Sequence, residues 1–440
     1  DFYHYISKYD SLHQRVLYLK NHFFFNNNFK KFNTYNFEGS IGLPILTFAS
    51  HQDHLFNILY PIFLKIGSGN VFCIIKNKSV LKKFKIKPTN YCLLSDLPAV
   101  NYVEWESEFS ELWGKIKDPI KNILSTNNIR KSYILNIKNY LISETRLVIS
   151  YEKLLKFLRP AFILTEYDRQ KNISSLISVS NNHSISTYSM MHGIITDIQA
   201  YTPLIANKIF VWGDLQKNQL TDYGEIDNKI EVTGATQLEN NIVGNKSLIK
   251  NKLGLPMKSN VIVLSTNKIK KKYRNKLIRI FSEMIDNLSA ENFYGLIKIH
   301  PSEDINFYLP YLSQNILIDK TKILTKSDYF CVADAVCNYN SAFFVESINR
   351  EIPVFTINVN YYKSSLIMQY CNEYKMPICE DSYELTTTIL KYFKDSDFQN
   401  MLKFKIKKMC SDFCISFGSE AANKTIKLIE NDTGMNILKN

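Results

Sequence analysis

The chain has 440 residues, 45% hydrophobic and 22% charged, so it is a globular protein long enough to need two cores rather than one. Its formal net charge of +13 favours anionic partners, phosphorylated substrates or an acidic membrane surface, but the lysines are scattered apart from clusters at Lys268 to Lys272 and Lys403 to Lys408, and no nucleic-acid-binding motif accompanies them. No run of about 18 apolar residues offers a membrane span, and the eight cysteines form neither a CxxC pair nor a zinc pattern, so they are expected to be reduced core residues of a cytosolic protein.

Residues 1 to about 35 read as helix followed by irregular chain. From Ile41 the period changes: Leu43–Phe48 is expected as a strand, His54–Ile66 as a helix, Asn70–Ile75 and Tyr91–Leu94 as further strands. Residues 105 to 158 read as amphipathic helix, broken at Asp118-Pro119 and again near Ser125. Ala161–Thr165 is a strand that delivers Glu166, Tyr167, Asp168 and Arg169; after a helix, Ser184–Met191 is a strand ending in His192-Gly193. Strands at Lys208–Trp212 and Ile230–Thr233 flank a helix at Asp214–Tyr223. Such alternation argues βαβ units and a parallel sheet. Residues 236–257, with Gly254-Leu255-Pro256, read as a linker, and the alternation then restarts: strand Asn260–Leu264, helix Lys272–Leu288, strand Tyr294–Ile299, a short strand at Ile316–Ile318, a strand beginning at Tyr329 and running to Cys337, helix Ala342–Ile348, strand Ile352–Ile357 and a helical tail from Ser382 to Asn431. The expected fold class is α/β, two doubly wound Rossmann-like domains facing across a cleft, with residues 1–235 and 258–440 as the domains.

In open α/β sheets the crevice at the C-terminal strand ends takes the ligand. His300 stands at one such end, and Pro301 after it keeps the backbone from turning helical there. Asn340-Ser341 stands at another, with Ser341 as the expected N-cap of the next helix, whose free N–H groups suit a phosphate. Ser265-Thr266 ends the first strand of this half, and Lys298 is expected on the opposite, solvent-facing side. In the first half, Glu166 and Asp168 form a carboxylate pair able to deprotonate a hydroxyl, the alternative being that Asp168 caps the helix that follows. His192 is a second candidate base, and Gly193 permits close approach of a ligand. His51 and Asp53 are candidate acceptor contacts. Asp395-Ser396-Asp397 lies in the helical tail and is no convincing metal motif, so no metal and no cofactor beyond a co-substrate is expected.

Taken together, Met191-His192-Gly193-Ile194, Tyr201-Thr202-Pro203, Ala206 to Gly213, Lys229 to Gly234, His300-Pro301 and Asn340-Ser341 resemble the GT-B glycosyltransferase superfamily over roughly residues 40 to 430. The likeness is to bacterial surface-carbohydrate enzymes of the polysialyltransferase/Kdo-transferase-like and CDP-glycerol glycerophosphotransferase-like groups. It implies an acceptor-side first domain and a nucleotide-sugar-binding second domain with a helical tail. His300, Pro301, Asn340, Ser341, Thr266 and Gly193 would then serve the donor, and His192, Glu166 or Asp168 the catalysis. The implied function is transfer of a sugar from a nucleotide-activated donor, CMP-nonulosonic acid or a Kdo-like sugar being expected first, to a glycan of a capsule, lipopolysaccharide or other surface polysaccharide. The implied place is the cytoplasm, at the inner face of the membrane. CDP-glycerol or UDP-sugar transfer, nucleotide-sugar 2-epimerisation and a non-catalytic role in carbohydrate assembly stay open as alternatives. The sequence carries no Asp/Glu-Asp/Glu-Gly triplet as in sialyltransferases, Glu166-Tyr167-Asp168 being only a loose substitute, and it has Ser265-Thr266-Asn267 where the Kdo-transferase-like enzymes place an Asp.

Overall fold

Runs such as Phe72–Ile75, Phe162–Thr165 and Asn260–Ser265 are apolar apart from polar residues at their ends, and nearly every residue in them is buried. That pattern belongs to parallel strands covered by helices on both faces. A computed structural model describes residues 45–47, 55–75, 78–83, 85–87, 90–126, 132–169, 172–195, 198, 201–238, 244–300, 302–321, 323–339, 341–360 and 366–437. The expected N-terminal helix and the candidate residues His51, Asp53, Pro301 and Asn340 lie outside the described residues.

The first sheet comprises β1 (Ile45–Thr47), β2 (Phe72–Ile75), β3 (Asn90–Leu93), β4 (Phe162–Thr165), β5 (Ser186–Met190), β6 (Lys208–Val211) and β7 (Ile230–Val232), in the order β3-β2-β1-β4-β5-β6-β7. The second comprises β8 (Asn260–Ser265), β9 (Phe293–Lys298), β10 (Ile316–Ile318), β11 (Ala335–Asn338), β12 (Val354–Ile357) and β13 (Ile378–Cys379), in the order β10-β9-β8-β11-β12-β13. Every pairing between these strands is parallel. Both sheets are therefore doubly wound, and the strand order reverses between β1 and β4 in one and between β8 and β11 in the other. Those reversals are where ligands bind such sheets.

Several local expectations change. Tyr329-Phe330-Cys331-Val332 is helical, the end of helix Lys326–Val332, and β11 begins only at Ala335. Thr325 and Asp328 form a reciprocal capping box that starts the helix, which outweighs the strand-like composition of its last turn. Pro119 sits inside helix Tyr102–Thr126 instead of ending it. Both Pro119 and Lys115, whose carbonyl loses its partner, are exposed, so water can take that bond. Lys298 is not solvent-facing: its ammonium lies 4.9 Å from the Phe343 ring centroid and 5.9 Å from that of Tyr329.

The chain ends by crossing back to the first sheet. Helix Gly418–Thr433 packs on helix Tyr60–Ile66, and Ala422, Ile426 and Ile429 join the core made by Phe162, Leu164, Tyr188 and Phe210. Lys208 binds Asp432 at 2.7 Å across the same contact.

Candidate functional site

In the second sheet, three neighbouring strands bring their C-terminal ends together. β8 continues one residue past its end, where the Thr266 N–H donates to the Lys298 carbonyl at 3.1 Å. The His300 N–H in turn donates to Thr266 Oγ1 at 2.9 Å. On the other side of β8, Ser265 Oγ and Ser341 Oγ are 3.3 Å apart, so Ser341 closes onto the strand end across the β8/β11 reversal. Ser341 is not the N-cap itself: the helix starts at Phe343 with Ala342 in that position, and Ser341 Oγ accepts from the Phe343 N–H at 3.3 Å. Asn338, fully buried at the tip of β11, donates through Nδ2 to the Ser341 carbonyl at 3.3 Å. Thus His300, Thr266 and Ser341, picked out separately in the sequence, converge on one crevice.

His300 is held in a defined protonation pattern. The Ser302 N–H donates to its Nδ1 at 3.2 Å, and Ser302 Oγ lies 2.8 Å from the same nitrogen. A backbone N–H can only donate, so Nδ1 of the neutral ring carries the lone pair and Nε2 carries the proton. Burial pushes this imidazole below its usual range; Glu303 pulls it up, and Lys298 and Lys268 push it down. Burial likewise lowers the Lys298 ammonium, with Lys326 adding to the effect and Glu346 opposing it. At neutral pH His300 is a neutral donor with positive charge nearby, which suits an anionic oxygen.

In the first sheet, the residues after β4 and β5 also meet. Glu166 and Asp168 are both fully buried. Asp168 does not cap the following helix, whose N-cap Asn172 makes no side-chain cap; its Oδ2 accepts the N–H groups of Ile205 at 2.7 Å and Ala206 at 3.2 Å. Burial raises its carboxyl against the pull of those two bonds. Arg169 donates to the Thr202 carbonyl at 2.7 Å. Both contacts tie the end of β4 to the loop that carries Tyr201.

Tyr201 is the group that inspection of the sequence left without a role. Its hydroxyl is 3.0 Å from His192 Nδ1, and the two rings stack with centroids 5.7 Å apart. Tyr167 packs edge-on to both, at 5.4 Å from His192 and 5.5 Å from Tyr201. Burial holds the Tyr201 phenol well above its usual value, and the nearby Tyr167, Asp168 and Glu166 reinforce this, so it stays protonated. His192 itself is half-buried, and its loop is fixed from behind: Trp212 Nε1 donates to the Met191 carbonyl at 3.2 Å, Gln216 Nε2 to that of Gly193 at 2.9 Å, and Gln237 Nε2 to that of His192 at 3.4 Å. Gly193 has open space where a Cβ would stand. The signal for this scaffold was the run of buried Trp212, Gln216 and Tyr201 downstream of the histidine.

Asp395, considered above as half of a metal motif, caps helix Ser396–Phe413 by accepting from the Asp397 and Phe398 N–H groups. Among the described residues no group of three His, Cys, Asp or Glu side chains gathers as a metal cluster, and no helix is long and apolar enough to cross a membrane.

No family model matches the chain, and no curated protein matches it. Solved structures do. The glycosyltransferase from Rickettsia africae matches at 11% identity over 92% of this chain and 100% of that one, with a TM-score of 0.56. The UDP-GlcNAc 2-epimerase from Neisseria meningitidis, bound to UDP-GlcNAc, matches at 12% identity over 89% of this chain and 100% of its own, with a TM-score of 0.54. Anabaena HepE in complex with UDP and glucose matches at 10% identity over 89% of this chain and 100% of that one, also with a TM-score of 0.54. At such identities the likeness is one of fold, and that fold is GT-B: two Rossmann-like units.

Proposed function

We propose that the chain is a nucleotide-sugar glycosyltransferase. The observation that carries this reading is that each sheet gathers polar groups at its own strand ends, a neutral donor with flanking lysines in the second and a half-buried histidine held by tyrosines in the first. The second site suits the phosphates of a donor and the first an acceptor hydroxyl. The hydroxyl oxygen attacks the anomeric carbon, the bond from that carbon to the phosphate oxygen breaks, and the nucleotide leaves with the bonding electrons. His192 takes the hydroxyl proton on its imidazole, beside Tyr201 Oη, which lies 3.0 Å from Nδ1 and 3.4 Å from Nε2. His300 Nε2–H, the seryl groups of Ser265 and Ser341, and Lys268 and Lys298 stabilise the negative charge that develops on the leaving phosphate.

UDP-sugars stand ahead of CMP-nonulosonic acid as donors, because solved structures sharing the fold hold UDP or a UDP-sugar. The resemblance at His192-Gly193 and His300 supports a surface-polysaccharide glycan as acceptor. Helix Ser396–Phe413 presents Phe404, 70% exposed, among exposed lysines, which would suit work close to an anionic membrane. A second reading, nucleotide-sugar 2-epimerase, is favoured by the epimerases among the similar folds.

The test is thermal stabilisation by UMP, UDP, CMP, CDP, GDP and ADP of the wild-type protein and of His300→Ala. A ligand at 100 times its dissociation constant adds about 2.7 kcal/mol to the folded state. Selective stabilisation that His300→Ala abolishes supports the donor site and names the base; no stabilisation by any nucleotide would remove the reading. Inversion at C2 of the sugar of the matching nucleotide sugar, without an acceptor, would favour the epimerase.

A further inference from the structure

Behind His300 lies a buried polar chain centred on Glu303, whose side chain is 1% exposed. A carboxylate at that depth is costly unless it is paired and fully hydrogen-bonded. Arg274 Nη1 lies 3.1 Å from Glu303 Oε1, and its guanidinium stacks on Phe307 at 3.6 Å from the ring centroid. Oε2 accepts from Tyr308 Oη at 2.6 Å and from Thr266 Oγ1 at 2.6 Å. A threonine hydroxyl has one proton, and Glu303 takes it. The Thr266 oxygen is thereby turned to accept from the His300 N–H at 2.9 Å. The Glu303 N–H closes the loop by donating to the His300 carbonyl at 2.9 Å.

Two consequences follow from this wiring. Thr266 has no proton left to offer a ligand, so its part is to hold the His300 backbone. With the backbone held by Thr266 and Nδ1 by Ser302, the imidazole presents its Nε2–H on the far side of the ring. We propose that Glu303 is the positioning residue of the nucleotide site, acting through Thr266 and through the bond from its own N–H to the His300 carbonyl to hold His300 Nε2–H at the phosphate of a nucleoside mono- or diphosphate. The proposal rests on the nucleotide reading of this crevice.

The test uses the full chain with Glu303→Gln, Thr266→Val and Thr266→Ser, and two readouts. The first is the imidazole nitrogen NMR spectrum of the free protein, with the His300 signals identified by their loss in His300→Ala. Wild type and Thr266→Ser should show the widely separated pair of a single Nε2–H tautomer, and Glu303→Gln and Thr266→Val should show averaged tautomers. The second is calorimetric affinity for UDP and for CMP. Whichever nucleotide the wild type binds should bind roughly tenfold more weakly to Glu303→Gln and Thr266→Val, about 1.4 kcal/mol, and within about threefold of wild type to Thr266→Ser. Folded Glu303→Gln and Thr266→Val proteins with a wild-type His300 spectrum and wild-type affinity would overturn the proposal, as would a Thr266→Ser protein as impaired as Thr266→Val. A wild type that binds no nucleotide but whose His300 tautomer depends on Glu303 would overturn the nucleotide reading instead, so the two failures are told apart.

Discussion

Asp168 and His192 were both candidate bases, but their bonding separates them. Asp168 is fully buried with Oδ2 occupied by two backbone N–H groups, whereas the His192 ring is half-exposed and lies beside the Tyr201 hydroxyl. An amide can accept the same two bonds without a buried charge. Asp168→Asn is therefore expected to keep its stability within about 1 kcal/mol and its turnover within a few-fold, while Asp168→Ala strands two N–H groups and costs about 1–3 kcal/mol each way it is measured, by heat or by denaturant. His192→Ala should lower turnover by about 10²- to 10⁴-fold with little change in melting temperature. A dead Asp168→Asn enzyme of normal stability would return the base to Asp168. His300 offers a pH test. Its folded imidazole is depressed below the ordinary value of 6.5, so the folded state binds fewer protons than the unfolded one. Its contribution is complete above 6.5 and is lost as pH falls through the depressed value. Denaturation followed from pH 7.5 downwards should show a shallower loss of stability in His300→Gln than in wild type; equal slopes would mean that the imidazole is not desolvated.

At the scale of elements, the end of β7 is knitted to the crossing segment that precedes the last helix. The Ala235 N–H donates to the Ser416 carbonyl at 2.9 Å, Ser416 Oγ to that of Thr233 at 2.6 Å, and the Gly418 N–H to that of Ala235 at 3.0 Å. Gly234 stands at φ +95°, and a Cβ there would lie 2.2 Å from the Ser416 carbonyl oxygen. Gly234→Ala should cost about 1–3 kcal/mol for the backbone and a similar amount for the clash, read as a fall in the denaturation midpoint. A midpoint unchanged by the substitution would show that this seam gives way easily. The strands themselves were legible because parallel strands buried on both faces are continuous apolar runs. That same rule misread Tyr329–Val332, where the Thr325-to-Asp328 capping box decides for helix although the composition suits a strand. Helix Leu366–Glu373 and β13 went unread because one is a single short helix and the other two residues long. At the site, His300, Ser341 and His192 were readable from their places at strand ends. Tyr201 and Glu303 were not, since a tyrosine nine residues after His192 and a glutamate three after His300 acquire meaning only when the loops fold back on the strands.

The two units of the molecule do not follow one another simply along the chain, because the last helix returns to the first sheet. Ile426 is fully buried in the cluster that holds Phe162, Leu164, Tyr188 and Phe210, although more than two hundred residues separate it from those strands. Leu385, equally buried, lies in helix Ser382–Lys394 against the second sheet. Truncating either side chain to alanine leaves a cavity worth about 2–5 kcal/mol. The two losses should differ in what they do to the ligand. If, as proposed, a nucleotide binds at the ends of β8, β9 and β11, a saturating nucleotide is linked to the second sheet's folding and should restore stability to Leu385→Ala. In Ile426→Ala the cavity opens under the first sheet, away from that crevice. Nucleotide affinity at 25 °C should then stay at the wild-type value while turnover falls, because Tyr188 and β5, which leads into His192, rest on the vacated site. Calorimetric titration of both variants beside a turnover assay checks this. Equal loss of nucleotide affinity in Ile426→Ala would show that the returning helix serves the second unit's crevice as well as the first unit's core.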